Sequence, residues 1–206
     1  MTMEKKYRLL VDDTITVGGR TLYRIEAVRD FANVKKGDRG GYVESEENLS
    51  HEGACWFFGD AWVSGNARVL GDACVSDNAC VSDNACVFGD AWVSGNALVY
   101  GNARVFDNAW VSDKACVSGK ACVSDNALVY GYACVFGDAW VHGNARVYGY
   151  ACVSDKACVS GKACVYGNAC VLDDARVSGT ARVLGNVCVL GNAKISNGII
   201  TNVVQE

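Results

Sequence analysis

Two kinds of residue in this sequence could carry out chemistry: two histidines, His51 and His142, and twelve cysteines. An imidazole titrates near neutral pH and suits the role of general base. His142 closes the string Ala139-Trp140-Val141-His142, at a place where neighbouring strings have Ser, Phe or Tyr. It is read in two ways: as one more outward polar ring, or as the base of a transfer reaction. His51 lies in an irregular stretch. The cysteines allow three readings, as disulfides, metal ligands or small soft apolar side chains. Cys-x5-Cys spacing is unlike the Cys-x2-Cys pairs of zinc sites, and a reducing compartment keeps thiols free. The third reading is therefore the expectation, with no metal. Pairs such as Asp113-Lys114 and Asp155-Lys156 fall at bends and read as solvated corners.

The elements that must position these residues are set by a repeat. From residue 61 to residue 198 the chain runs through 23 six-residue units with no insertion or deletion. A unit reads Ala-x-Val-y-[Gly/Asp]-[Asn/Asp/Lys], with Ala first in 22 units and Val third in 22. Cys55-Trp56-Phe57-Phe58-Gly59-Asp60 keeps the register with a bulkier filling. A fixed period is the mark of a stacked-repeat architecture. Ala-x-Val alternates with the period of two of a short strand. Position x takes Trp62, Arg68, Cys74, Leu98 and Lys194, which one core layer could not hold interchangeably, so x points outward and Ala and Val point inward. The last two positions hold residues that tolerate left-handed backbone and read as a bend. The chain has no proline, as expected if nearly every strand N–H is needed in a ladder.

This pattern resembles the left-handed parallel β-helix of the bacterial hexapeptide-repeat superfamily, over residues 55–198. The resemblance implies an all-β triangular solenoid with three repeat units per coil, and thus about eight coils. The stretch Ile25–Trp56 is similar to the start of the YdcK-type proteins, which are described as transferases without an established reaction. It contains Asp30-Phe31-Ala32-Asn33-Val34, Gly40-Gly41-Tyr42-Val43 and Asn48-Leu49-Ser50. Residues 7–27 read as a hairpin around Gly18-Gly19 that caps the first coil. The expected division is thus a cap and irregular first coil over 1–54, a β-helix over 55–198, and a short tail over 199–206. An apolar edge at that tail would pair with another copy.

With three units per coil, every third unit falls on the same face. One face then carries Trp62, Cys80, Leu98, Cys116, Cys134, Cys152, Cys170 and Cys188 at x, without a charge. Such a column is expected to be a protein–protein contact. The other two x columns mix Arg, Trp and Cys. Superfamily kinship implies an acyltransferase, with acyl-CoA as donor, a site between subunits and His142 as base. Against it, no loop leaves the repeat to enclose a donor. Blocks such as Phe58–Val63 also recur at offsets of 30 and 78, which moves them among faces and would scatter a catalytic site. The leading expectation is a non-catalytic, self-associating scaffold without cofactor. A small-molecule-sequestering or partner-inhibiting protein is the further alternative, including a nucleotide binder using Trp140, Tyr148 and Arg146.

Net charge is −4, which argues against nucleic acid as partner. No apolar run reaches the ~18 residues of a membrane span. Met1-Thr2-Met3-Glu4-Lys5-Lys6 leads into polar sequence, so a cytoplasmic protein is expected. Residues 55–198 hold twelve Asp against ten Lys plus Arg, too even for a nucleic-acid mimic. Thr180 is the one threonine in the repeat, which excludes paired-threonine ice-binding rows.

Overall fold

The structure, a computed structural model, describes residues 4–205; the Met1-Thr2-Met3 start and the final residue of the expected tail lie outside the described residues. The chain is an all-β parallel solenoid of about nine turns with 18 residues per turn, capped by an antiparallel hairpin. Each repeat supplies one short strand, and successive strands fall on three sheets in rotation. Register partners, such as Trp62 with Cys80, Arg68 with Cys86 and Trp92 with Trp110, lie one full turn apart along the chain.

Every repeat alanine and valine from Ala61 to Val189 is buried and belongs to one continuous core. The bend position after y takes positive φ in every unit up to Gly191, and in the last unit the positive φ moves one residue on, to Gly198. Glycine fills it in most units and aspartate in seven, from Asp77 to Asp173, at φ between 57° and 62°. Aspartate is among the residues that enter this conformation readily, and in six of the seven its carboxylate accepts from the backbone of the next coil. Asp113 Oδ2 accepts from the N–H of Gly131 one coil on (3.0 Å), and Asp125 Oδ2 from that of Gly143 (2.8 Å).

The solenoid has one turn more than the repeat implies. Strand β1 (Tyr7–Val17) pairs antiparallel with β2 (Arg20–Ala27), and β2 with β3 (Arg39–Val43). β3 then runs parallel to Trp62–Val63, and Leu49 bridges to Val69. Residues 39–54 thus form a coil without the Ala-x-Val signature, in a 20-residue register that holds from Tyr42 to Leu49 and returns to 18 by Trp56, so the two extra residues lie between Leu49 and Trp56. Gly41 stands where the repeat has alanine, because a Cβ there would lie on the carbonyl oxygen of Ala61. At the other end, Ile199–Ile200 and Val204–Gln205 join two of the sheets, so the expected tail extends the coil.

Polar contacts seal the cap. Lys6 is buried and its ammonium donates to the carbonyl of Cys55 (2.8 Å), beside the Cys55 thiol (3.2 Å). His51 stacks on Tyr7 at 4.4 Å, and its Nδ1 accepts from the N–H of Lys6 (3.3 Å). Burial pushes the His51 imidazole below its ordinary value of 6.5. The unfolded chain therefore binds this proton more readily than the folded one, and cap stability falls as pH drops through about 6.5. Urea unfolding between pH 7.5 and 5.5 is expected to show that loss. His51→Phe, which keeps a ring against Tyr7 but cannot titrate, is expected to flatten the slope in this window.

Candidate functional site

The register places Trp62, Cys80, Leu98, Cys116, Cys134, Cys152, Cys170 and Cys188 side by side along the longest sheet, directly above Tyr42 of β3. Cys80 is buried and Leu98 exposed, while the other six are half-buried between column neighbours. All twelve cysteines are free thiols. Burial pushes the Cys80 thiol up to about 12 and that of Cys152 up to about 11, the latter helped by the thiols of Cys170 and Cys134. These groups are neutral at physiological pH, so the face is apolar in charge as well as composition. Among the described residues no three His, Cys, Asp or Glu side chains converge to hold a metal ion.

For this face sequence reasoning took only position x and missed the flanks. Tyr100 and Phe136 leave their strands at position y, on one edge of the column. Tyr132 and Tyr150 enter from the bends on the other edge. All four rings are exposed. Tyr132 and Tyr150 stack at 4.9 Å, and Lys114 caps the edge with its ammonium 5.0 Å from the Tyr132 ring. The signal that would have found them is the same one-turn register applied to position y and to the last residue of each unit.

His142 lies on the shortest sheet, away from the uncharged column. Its Nε2 is 3.5 Å from Cys158 Sγ and its Nδ1 3.7 Å from Asp125 Oδ2, while its ring packs on Trp140 at 4.5 Å. Thiol, imidazole and carboxylate thus form a row in which the imidazole could accept a proton from sulfur and be oriented by the acid. Cys158 and Asp125 were not singled out from sequence. The contact follows a rule of the solenoid, since position y touches the x residue sixteen places on. Trp92 Nε1 donates to Ser76 Oγ, and Trp110 Nε1 to Ser94 Oγ, across the same interval. His51, the other histidine, is absorbed by the cap. Of the three residues weighed for nucleotide binding, Arg146 and Tyr148 share the nine-stranded sheet, and Trp140 stands on the shortest one.

Two overlapping segments, residues 91–105 and 97–113, match the family model of the YdcK beta solenoid repeat. The match lies inside the repeat, whereas the resemblance read from sequence was placed on Ile25–Trp56. No curated protein gives a significant match to the chain. Fold and match together define a parallel β-solenoid protein. Over residues 91–113 its repeats are similar to the YdcK beta solenoid repeat. No helix among the described residues is long and apolar enough to cross a membrane.

The raised thiol values have a direct consequence. Iodoacetamide at pH 7.5 is expected to label Cys152 about tenfold or more slowly than an ordinary thiol, because the smaller thiolate fraction outweighs the gain in nucleophilicity. The rate is expected to keep rising up to about pH 11. Site-resolved mass spectrometry reads both.

Proposed function

We propose that this protein is a non-catalytic cytoplasmic scaffold that associates with a second copy of itself through the uncharged column of the longest sheet. The observation that carries the reading is the composition of that face. Leu98, Cys116, Cys134 and Cys152 form an uncharged strip, and exposed rings of Tyr100, Phe136, Tyr132 and Tyr150 stand on both sides of it. Aromatic anchors around an apolar centre are what association surfaces concentrate, and large exposed apolar patches are uncommon on monomers. A straight, periodic strip is also self-complementary, because two copies related by a two-fold axis can lay the same residues against each other. Neutral thiols suit such a contact, since they can leave water without a charge to desolvate. A reducing cytoplasm keeps them in that state.

Cys134→Asp or Cys152→Asp places a carboxylate at the centre of this strip while leaving the inward alanines and valines untouched. Each is expected to shift the solution mass measured by light scattering toward the monomer, with the far-UV circular dichroism unchanged. A monomeric parent protein, or an oligomer that survives both substitutions, contradicts the reading.

A second reading, acyl transfer with His142 as base and acyl-CoA as donor, draws on the row of Cys158, His142 and Asp125. In it the imidazole takes a proton from the acceptor nucleophile, and Asp125 steadies the resulting cation. Acetyl-CoA turnover that is lost in His142→Ala would favour this reading. Binding of no acyl-CoA would remove it.

A further inference from the structure

Two depressions on the nine-stranded sheet meet at Tyr130. The larger is a groove of about 470 Å³ whose charged lining residues are Arg146, Lys162 and Arg182, with no carboxylate among them. Among the described residues none of the three cations makes a salt bridge. Unpaired positive charge gathered in one groove of a chain of net charge −4 is a site for an anion. Arg146 and Arg182 stand in one column with Cys164 between them. Two steps of ~4.8 Å separate their backbones, so a single phosphate cannot engage both head-on, whereas a chain of two or three phosphates can. Lys162 reaches the same groove from the adjoining corner.

The smaller depression, about 190 Å³, is lined by Trp110, Ser112, Leu128 and Tyr130 and is apolar in character. It exists because a ladder of rings stops there. Tyr130 stacks on Tyr148 at 4.8 Å and Tyr148 on Tyr166 at 5.0 Å, but the position one coil before Tyr130 is Ser112. One face of Tyr130 is left without a ring. Trp110, stacked on Trp92 at 5.6 Å on its other side, is 46% exposed. The gap is a slot for a planar ring. Trp110, Leu128, Arg146, Cys164 and Arg182 are consecutive residues of one column. The arginines therefore lie roughly 7–17 Å along the axis from the slot, at ~4.8 Å per coil.

We propose that this face binds a nucleoside di- or triphosphate, with the base in the slot between Trp110 and Tyr130 and the phosphates against Arg146, Lys162 and Arg182. The tyrosine ladder between them serves as a donor wall. Burial is the largest cause that pushes the Tyr148 phenol up to about 12, so its hydroxyl stays protonated and can donate to a phosphate oxygen. The site is on a different sheet from the uncharged column and does not depend on self-association.

The test titrates the full chain with ATP, ADP, adenosine and inorganic tripolyphosphate, followed by calorimetry and tryptophan fluorescence. ATP is expected to bind and to quench fluorescence, and tripolyphosphate to bind more weakly without quenching. Arg146→Gln with Arg182→Gln is expected to weaken both by about tenfold or more, since each loses charge-assisted bonds. Trp110→Ala is expected to weaken ATP alone. All three substitutions are at outward positions, and circular dichroism confirms the fold. No binding of ATP at millimolar concentration would overturn the proposal, as would unchanged ATP affinity in the arginine double variant. Equal affinity for ATP and tripolyphosphate, insensitive to Trp110→Ala, would overturn the nucleoside assignment.

Discussion

One hydrogen-bond relation holds the solenoid together, from the N–H of residue i to the carbonyl of residue i+17. In a single unit it appears as Cys116 to Ala133 (2.9 Å), Ser118 to Val135 (2.9 Å) and Lys120 to Gly137 (2.7 Å). Each repeat strand has only two to four residues, too few to be stable alone, so the ladder and the core it closes must supply the order. The relation forbids proline, and it also forbids a register slip. A shift of one residue would turn every valine outward and every arginine or cysteine inward. The narrow interior admits little but alanine and valine, which explains why 22 of 23 units keep each of them while position x varies freely.

That freedom at x is where the surface chemistry arises. Residues one turn apart become neighbours, so each side chain chosen at x, y or a bend joins a row running along the axis. Repetition then makes large uniform features out of small choices. Cysteine at x in consecutive turns yields an uncharged strip, and tyrosine at y in three turns yields a stacked ladder. Where the choice changes, a boundary forms. The step from Ser112 to Tyr130 opens a slot, and arginines in place of tryptophan and leucine turn the same column from apolar to cationic.

The thiols show how burial decides chemistry on such a surface. Burial raises the affinity of the Cys80 and Cys152 sulfurs for their protons. A cysteine-rich chain can thus present a chemically quiet face. At His142 the same close spacing brings a thiol and a carboxylate to the two nitrogens of one imidazole, although their residues are sixteen and seventeen positions away in sequence.

The sequence by itself determined the parts that depend on period and polarity: the strands, their inward alanines and valines, the bends at Gly and Asp and the hairpin at Gly18-Gly19; the membership of each column followed once the family resemblance supplied three units per coil. These were legible because a strict repeat makes local pattern and global position the same information. An irregular first coil was expected within residues 1–54, but its register was not legible, because Gly41, Asn48 and Leu49 fill repeat places with unlike side chains at a longer spacing. Nor were the contacts between columns: the rings flanking Cys134, the row of Cys158, His142 and Asp125, and the groove that joins Arg146 to Lys162 and Arg182. Those depend on how far a side chain leans across a corner toward the next coil, a distance that spacing along the chain does not encode and only the stacked turns define.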